Sequence, residues 1–504
     1  MESKLFSRRN LLKAASLTAA GGVLAACQPE VVEKVVKETV VVEKEVEKVV
    51  KETVEVEKVV KETVVVEHAV TAPAEIDMWG WTGLIQEAMV DAFTEQHPNI
   101  TINLSEIGEA VFGDQKFMTA VAAGKGPSVA IQNRHTFMQF AAKGLYGDAT
   151  PYFDAVGMQR SDFAPVQIEE TSWQGKIYGL PIMTDVRYMY WNKAHFSEVG
   201  LDPASPPTTW DELEMAAEKL NVKDSSGNLE RIGFVPYLFG NSWMWLYGFL
   251  NNAPAISDDK RTILCDDPRW AEALDWMVNF YDSYIGEFEL ANAFSEAVSS
   301  AGLGQPFIAG KTSIDATGNW VVGDLFRSPG VDWDVAPMPI PDGGVKSTWS
   351  CGWSLVMPPS AKYPDAAFEL MRWWTGLEGW EAKAVATLAD TERYWEREKI
   401  EGDPQFWPEL AVYLPAQKML EEKYVSKLDA TAKKAWDLSV DALNNWTHGC
   451  GTEMGVAALE YWVEMDNAVR SALSHKASPA EAMQTAKDKV QQATDRAWEA
   501  IDAL

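Results

Sequence analysis

The chain has 504 residues with 74 acidic against 44 basic side chains, a formal net charge of −30. Such a field repels phosphate backbones and excludes nucleic acid as a partner. With 47% apolar and 23% charged residues the composition is that of a folded protein; four Cys are too few for a disulfide-stapled scaffold, and neither they nor the six His show metal-ligand spacing, so no metal and no cofactor is expected. At about 150 residues per domain the length suggests two to four domains. The unusual count is Trp, 22 residues.

In chain order, residues 1–26 read as an export signal. Ser7-Arg8-Arg9-Asn10-Leu11-Leu12-Lys13 precedes an apolar run from Ala14 that ends in Leu24-Ala25-Ala26-Cys27. That run is too short to span a bilayer permanently. The twin arginines resemble a Tat signal, and Leu-Ala-Ala-Cys resembles a bacterial lipoprotein cleavage box, which implies lipidation of Cys27; an ordinary signal peptide with a chance Cys is the alternative. No later segment has the ~18 uninterrupted apolar residues of a spanning helix. The expected location is therefore extracytoplasmic, lipid-anchored to the outer face of the cell membrane. Residues 27–75 form a stalk in which Glu-Lys-Val-Val-Lys-Glu-Thr-Val occurs at 33–40, 47–54 and 57–64. The heptad this suggests is imperfect, and the stretch reads as a spacer without a core of its own.

The folded body begins at residue 76. Ile76 to Trp81 reads as a strand, Leu84 to Gln96 as a helix, and Ile100 to Leu104 as a second strand, which makes a βαβ unit and predicts a parallel sheet. The theme repeats with Lys116–Ala123 as helix, Val129–Ile131 as strand and Thr136–Lys143 as helix. Past residue 360 the pattern is mainly helical, at Ala366–Trp374, Lys433–Asn444, Val456–Leu473 and Pro479–Ile501.

Several stretches resemble the bacterial extracellular solute-binding proteins of the carbohydrate-type ABC importer family, the group that includes maltose-binding protein. They are Trp79-Gly80-Trp81 with Phe93-Thr94-Glu95-Gln96-His97-Pro98, Ala123-Gly124-Lys125-Gly126-Pro127, Tyr178-Gly179-Leu180-Pro181, Tyr190-Trp191-Asn192-Lys193, Pro206 to Leu213, Gly318-Asn319-Trp320 and Ala336-Pro337-Met338-Pro339. The resemblance implies an α/β, two-lobed periplasmic-binding-protein-like fold of type II. Its lobes would be joined by hinges near 183–188, 350–355 and 447–453. The N-lobe would take 76–185 and 356–446, and the C-lobe 186–350 and 450–504. Ser128 and Asn319 stand where the family usually has Asp and Gly, and both are expected beside the cleft. The resemblance also implies a monomer that captures a carbohydrate ligand and delivers it to ABC permease subunits in the membrane.

A sugar offers apolar C–H faces and a rim of hydroxyls, so its site needs flat aromatic surfaces and paired polar groups. Trp79 and Trp81 after the first strand, and Gln132, Asn133, Arg134 and His135 after the third, occupy strand-to-helix turns of the kind that face a cleft. By resemblance Asp185 matches the ligand carboxylate and Trp320 the stacking aromatic, with Asn241, Trp243, Trp349, Trp353 and Trp462 completing a ring. For Asp185 the alternative is a hinge salt bridge to Arg187; for Arg134 and His135 it is a solvated loop. Arg393 is a further candidate, and Arg134, Arg187 and Arg393 acting together would favour a phosphorylated polyol such as glycerol phosphate. Cys351 and Cys450 fall at the second and third implied crossings and are either bonded or two small buried thiols. A secreted glycoside hydrolase is the enzyme alternative, although the body has no GxSxG, HExxH or phosphate-loop spacing. A purely structural surface lipoprotein is the third.

Overall fold

The structure is a computed structural model that describes residues 72–106, 115–237, 244–300 and 305–503. The signal, Cys27, the stalk repeats up to residue 71, Asn241 and Trp243 lie outside the described residues. Eleven strands position the site: β1 Ala74–Gly80, β2 Ile100–Glu106, β3 Val129–Asn133, β4 Gly179–Thr184, β5 Arg187–Asn192, β6 Ile314–Gly318, β7 Trp333–Ala336, β8 Thr348–Ser350, β9 Gly352–Val356, β10 Leu410–Ala411 and β11 Thr447–Gly449.

The first βαβ unit forms as its pattern predicts. β1 alternates buried Ile76 and Met78 with exposed Glu75 and Asp77, pairs in parallel with β2, and is joined to it by the helix Leu84–Gln96, which buries Met89 and Phe93. The larger sheet has the order β10-β4-β9-β3-β1-β2. The expected parallel pairing holds for β1 with β2 and with β3, whereas β9 runs antiparallel to both β3 and β4, and β10 antiparallel to β4. The cause is the route of the chain. β4 leaves the sheet at Thr184, and the chain returns to the same edge at Gly352, so β9 starts where β4 ends.

A second sheet, β6-β5-β7, is antiparallel with β5 in the centre. Alternate residues of β5 serve two cores. Met189 and Trp191 join Trp210, Trp245 and Trp270 with the helices Ala458–Leu473 and Pro479–Asp502, while Tyr188 and Tyr190 join Val321, Phe326 and Trp436. The molecule is thus a two-lobed α/β protein. The helix Ala430–Asn445, which the sequence groups with 356–446, packs on β7 of the second sheet, and its Ser439 hydroxyl donates to the Tyr188 hydroxyl at 3.3 Å. Between the sheets β8 and β11 pair in parallel, so the returning chain and the last crossing run side by side.

Candidate functional site

β1, β3 and β4 end, and β9 begins, at one edge of the larger sheet, the edge at which open α/β sheets hold ligands. Trp81, just past β1, and Trp353, in β9, are both half-buried there and meet edge to face, with ring centroids 5.0 Å apart at 78°. Opposite lie the start of β5 and the end of β6. Trp320 follows β6 so closely that a Cβ on Gly318 would come within 1.8 Å of its ring. Asn319 is the departure from the family's Gly, and here it fastens the crossing: its Oδ1 accepts from Val186 N at 3.3 Å, and its own N–H donates to Val186 O at 3.1 Å.

Asp185 stands between the two halves. Its Oδ1 accepts from Arg187 Nη1 at 2.6 Å and from Cys351 N at 3.0 Å, and its own N–H donates to Cys351 O at 3.0 Å. Among the described residues nothing binds Oδ2, and the side chain is 17% exposed. The hinge salt bridge to Arg187 is therefore formed by one oxygen, and the other is uncommitted. Arg187 is buried, lies 4.7 Å above the Trp349 ring and 5.5 Å above the Trp320 ring, and donates to Trp349 O at 2.7 Å. Trp349 is the centre of a stack, with Trp245 at 6.0 Å on one side and the half-buried Trp462 at 5.8 Å on the other.

The turn after β3 is buried, not solvated. Arg134 donates through Nε to Glu170 at 2.8 Å, through Nη1 to Met183 O and Trp353 O at 2.7 and 3.0 Å, and through Nη2 to Thr184 Oγ1 and Cys351 O at 3.1 and 2.7 Å. All five guanidinium N–H groups are spent. Arg134 is therefore a clamp on the crossings and has no donor left for a ligand. Glu170, equally buried, accepts from Gly451 N at 2.8 Å with its other oxygen; burial raises its carboxyl above the usual range and the Arg134 charge opposes this. Gly352 accommodates the clamp with φ 141°, where a Cβ would fall 2.3 Å from Met183 O and 2.9 Å from the Arg134 guanidinium.

Other candidates also change role. Gln132 is buried and spends its amide on Ile131 O and the Tyr146 hydroxyl. Asn133 caps the turn, its Oδ1 accepting from His135 N at 2.9 Å. His135 is buried, bonds Asn133 through Nδ1, and sits edge-on to Trp349 and Trp462 at 5.2 and 5.0 Å; burial first, then Arg187 and Arg134, hold its pKa well below the ordinary value, so the ring is neutral. Trp79 packs with the cluster of Phe117, Phe137 and Tyr146 under Lys116, whose Nζ is 4.5 Å from its ring, and not with Trp81. Arg393 lies on an exposed face of the helix Leu377–Glu398, paired with Asp390. Ser128 enters β3 from the end opposite Asn133, donating through its N–H to Asp77 O, so it is a strand's length from this edge.

Cys351 and Cys450 are bonded, with Cα atoms 5.3 Å apart. The donor atoms of His135, Cys351 and Cys450 lie within 4.8 Å of one another, but joined sulfurs offer no thiolate to a metal. Cys265 is a buried thiol whose pKa burial pushes up to about 12, which makes it inert. Sequence reasoning did not find Glu170, because nothing near Pro165–Glu170 marks its partner Arg134, 36 residues away. The spacing Asp185-Val186-Arg187 does carry a signal, in that opposite charges two residues apart in a crossing are placed to pair, as they do at 2.6 Å.

Residues 80–379 match the family described as bacterial extracellular solute-binding protein. The chain belongs to this family. A binding protein of Brucella abortus is 25% identical over 301 residues, which cover 58% of this chain and 68% of that one. The maltotriose-binding protein of Pyrococcus abyssi is 26% identical over 269 residues, 51% of this chain and 52% of its own. Among solved structures, the mannobiose-bound CpMnBP1 superposes with a TM-score of 0.67 at 23% identity, covering 83% of this chain and 99% of that chain, which establishes the shared fold. The relatives are binding proteins rather than enzymes. No helix among the described residues is long and apolar enough to cross a membrane.

Proposed function

We propose that this solute-binding protein is the substrate-binding lipoprotein of an ABC importer, capturing a sugar, oligosaccharide or related polyol between its lobes and handing it to permease subunits unchanged. The observation that carries this reading is the set of aromatic faces at the crossings, Trp81 against Trp353, Trp349 against Trp462, and Trp320 over Arg187, around a carboxylate that keeps one oxygen uncommitted. Indole faces cover sugar C–H surfaces, and a carboxylate oxygen accepts from hydroxyls. The names of the maltotriose-binding relative and the mannobiose-bound structure support the same ligand class. Affinity comes from closure of the lobes, which removes water from the rings, and open and closed states need differ by only a few kcal/mol for the permease to reverse binding. Cys27 would carry the lipid anchor, residues 27–75 would hold the body off the membrane, and the body would act as a monomer.

The test is intrinsic Trp fluorescence of the protein titrated with mannobiose, maltotriose and mannitol. We expect a saturable shift with at least one of them, and a loss of about 30-fold or more in affinity on Trp320→Ala with the far-UV spectrum unchanged, the effect of removing a ~2 kcal/mol contact. Slow hydrolysis of one member without saturable binding would favour the glycoside hydrolase instead.

A further inference from the structure

We propose that this site admits uncharged carbohydrates or polyols and rejects their phosphorylated or carboxylated derivatives, with Asp185 as the residue that sets the discrimination. The inference rests on the carbohydrate reading above. Recognition of a phosphate or carboxylate requires guanidinium or ammonium donors aimed at the ligand. The sequence offers three arginines for this, and the structure commits each of them elsewhere. Arg134 has used all five N–H groups on Glu170, Met183, Thr184, Cys351 and Trp353. Arg187 is buried against the Trp320 and Trp349 rings, and its charge is matched by Asp185 at 2.6 Å. Arg393 is on a solvated helix face, paired with Asp390.

The two buried cations are thus offset by two carboxylates, Glu170 and Asp185, and the charge at the crossings sums to zero. Only Asp185 of the four is partly exposed, so the charge a ligand meets there is negative. His135, against the same stack, adds no positive charge because its ring is neutral. Lys116 belongs to the Trp79 cluster and not to that of Trp81 and Trp353. The internal segments outside the described residues, 107–114, 238–243 and 301–304, contain no Lys or Arg. A hydroxyl can donate to Asp185 Oδ2, whereas a phosphate has only acceptors to present to it.

The experiment compares matched pairs on the full chain, mannitol against mannitol 1-phosphate, glucose against glucose 6-phosphate, and glycerol against glycerol 3-phosphate, with mannobiose and maltotriose as neutral references, by Trp fluorescence and calorimetry. The expected result is saturable binding of a neutral member with its phosphate ester bound at least ~100-fold more weakly, the order of effect of a like charge a few ångströms away at a protein surface. The gap should persist in 0.5 M salt, which screens the net charge of −30 but not a contact with Asp185, and Asp185→Asn should narrow it about tenfold or more. A phosphate ester that binds as well as its parent overturns the discrimination while leaving the carbohydrate reading in place. A gap that vanishes in salt removes the role of Asp185. Silence toward every neutral and phosphorylated member overturns the carbohydrate reading itself. The wild-type comparison decides the main point even if the Asp185 variant misfolds.

Discussion

Arg134 shows how a residue's chemistry depends on where its partners arrive. Read along the chain it is a cation in a turn after a strand. In the fold it is fully buried against Glu170, with the Thr184 hydroxyl and the main-chain carbonyls of Met183, Cys351 and Trp353 as its other acceptors. Removing one member of such a pair strands the other charge away from water, so Arg134→Met should destabilise the protein by about 3–5 kcal/mol. Urea denaturation measures this directly. Replacing both partners by apolar residues, Arg134→Met with Glu170→Leu, should recover a large part of the loss; a single variant within 1 kcal/mol of wild type would contradict the burial. The position of the β3 turn was legible in the sequence, as was the importance of Asp185. The direction in which Arg134 points was not, because its five acceptors come from three separate stretches of chain, at Glu170, 183–184 and 351–353.

At the scale of elements, the helices that periodicity marked lie within a few residues of their expected bounds, whereas others, such as Leu377–Glu398, went unmarked. The helix expected at Pro479–Ile501 spans Pro479–Asp502 and is opened by a capping box between Ser478 and Glu481. Strand direction was less legible, since β9 and β10 are oriented by where the chain re-enters the sheet rather than by their own residues. The helix Leu377–Glu398 carries Arg393 away from the ligand edge for a similar reason: its buried face is set by Trp380, Ala384, Thr391 and Trp395. The crossings themselves are held by the Cys351–Cys450 bond, which closes a loop with a sequence separation of 99. Cutting it with a dithiol, or by Cys450→Ala, should lower stability by about 2–4 kcal/mol. Because Cys351 N and O both bond Asp185, the same treatment should also weaken sugar binding; titration with and without reductant under folding conditions reads that second effect.

For the molecule as a whole, two effects compete on acidification. Protonating carboxylates relieves the self-repulsion of a net −30 charge. Against this, His135 is buried neutral with a pKa well below 6.5, and His195 is lowered to about 4 by burial and Arg231. The unfolded chain therefore binds more protons than the folded one once pH falls below about 6.5, so stability drops there, with a slope of at most about 1.4 kcal/mol per pH unit for each histidine. Between pH 7 and 5.5 most carboxylates remain charged; buried Asp315, pushed up to about 6, and Glu170, also raised by burial, take up protons in the folded state and oppose the two histidines, which begin to titrate in the unfolded chain at higher pH. The urea midpoint should fall across that window, and His135→Gln should flatten the fall; a midpoint that rises would mean that proton uptake by Asp315 and Glu170 outweighs that of the histidines.

The Cys351–Cys450 knot also bears on how the protein is made. Cys450 and the two long helices after it are synthesised last, yet Val469, Met483 and Val490 from those helices share a core with Met189 and Trp191 of β5. Neither that core nor the clamp of Glu170 on Gly451 can close on a nascent chain. Those contacts form only after residues 450–502 have been made, and the fold they complete holds Cys351 and Cys450 side by side. That order of events suits a protein whose Arg8-Arg9 start resembles the signal for export in the folded state.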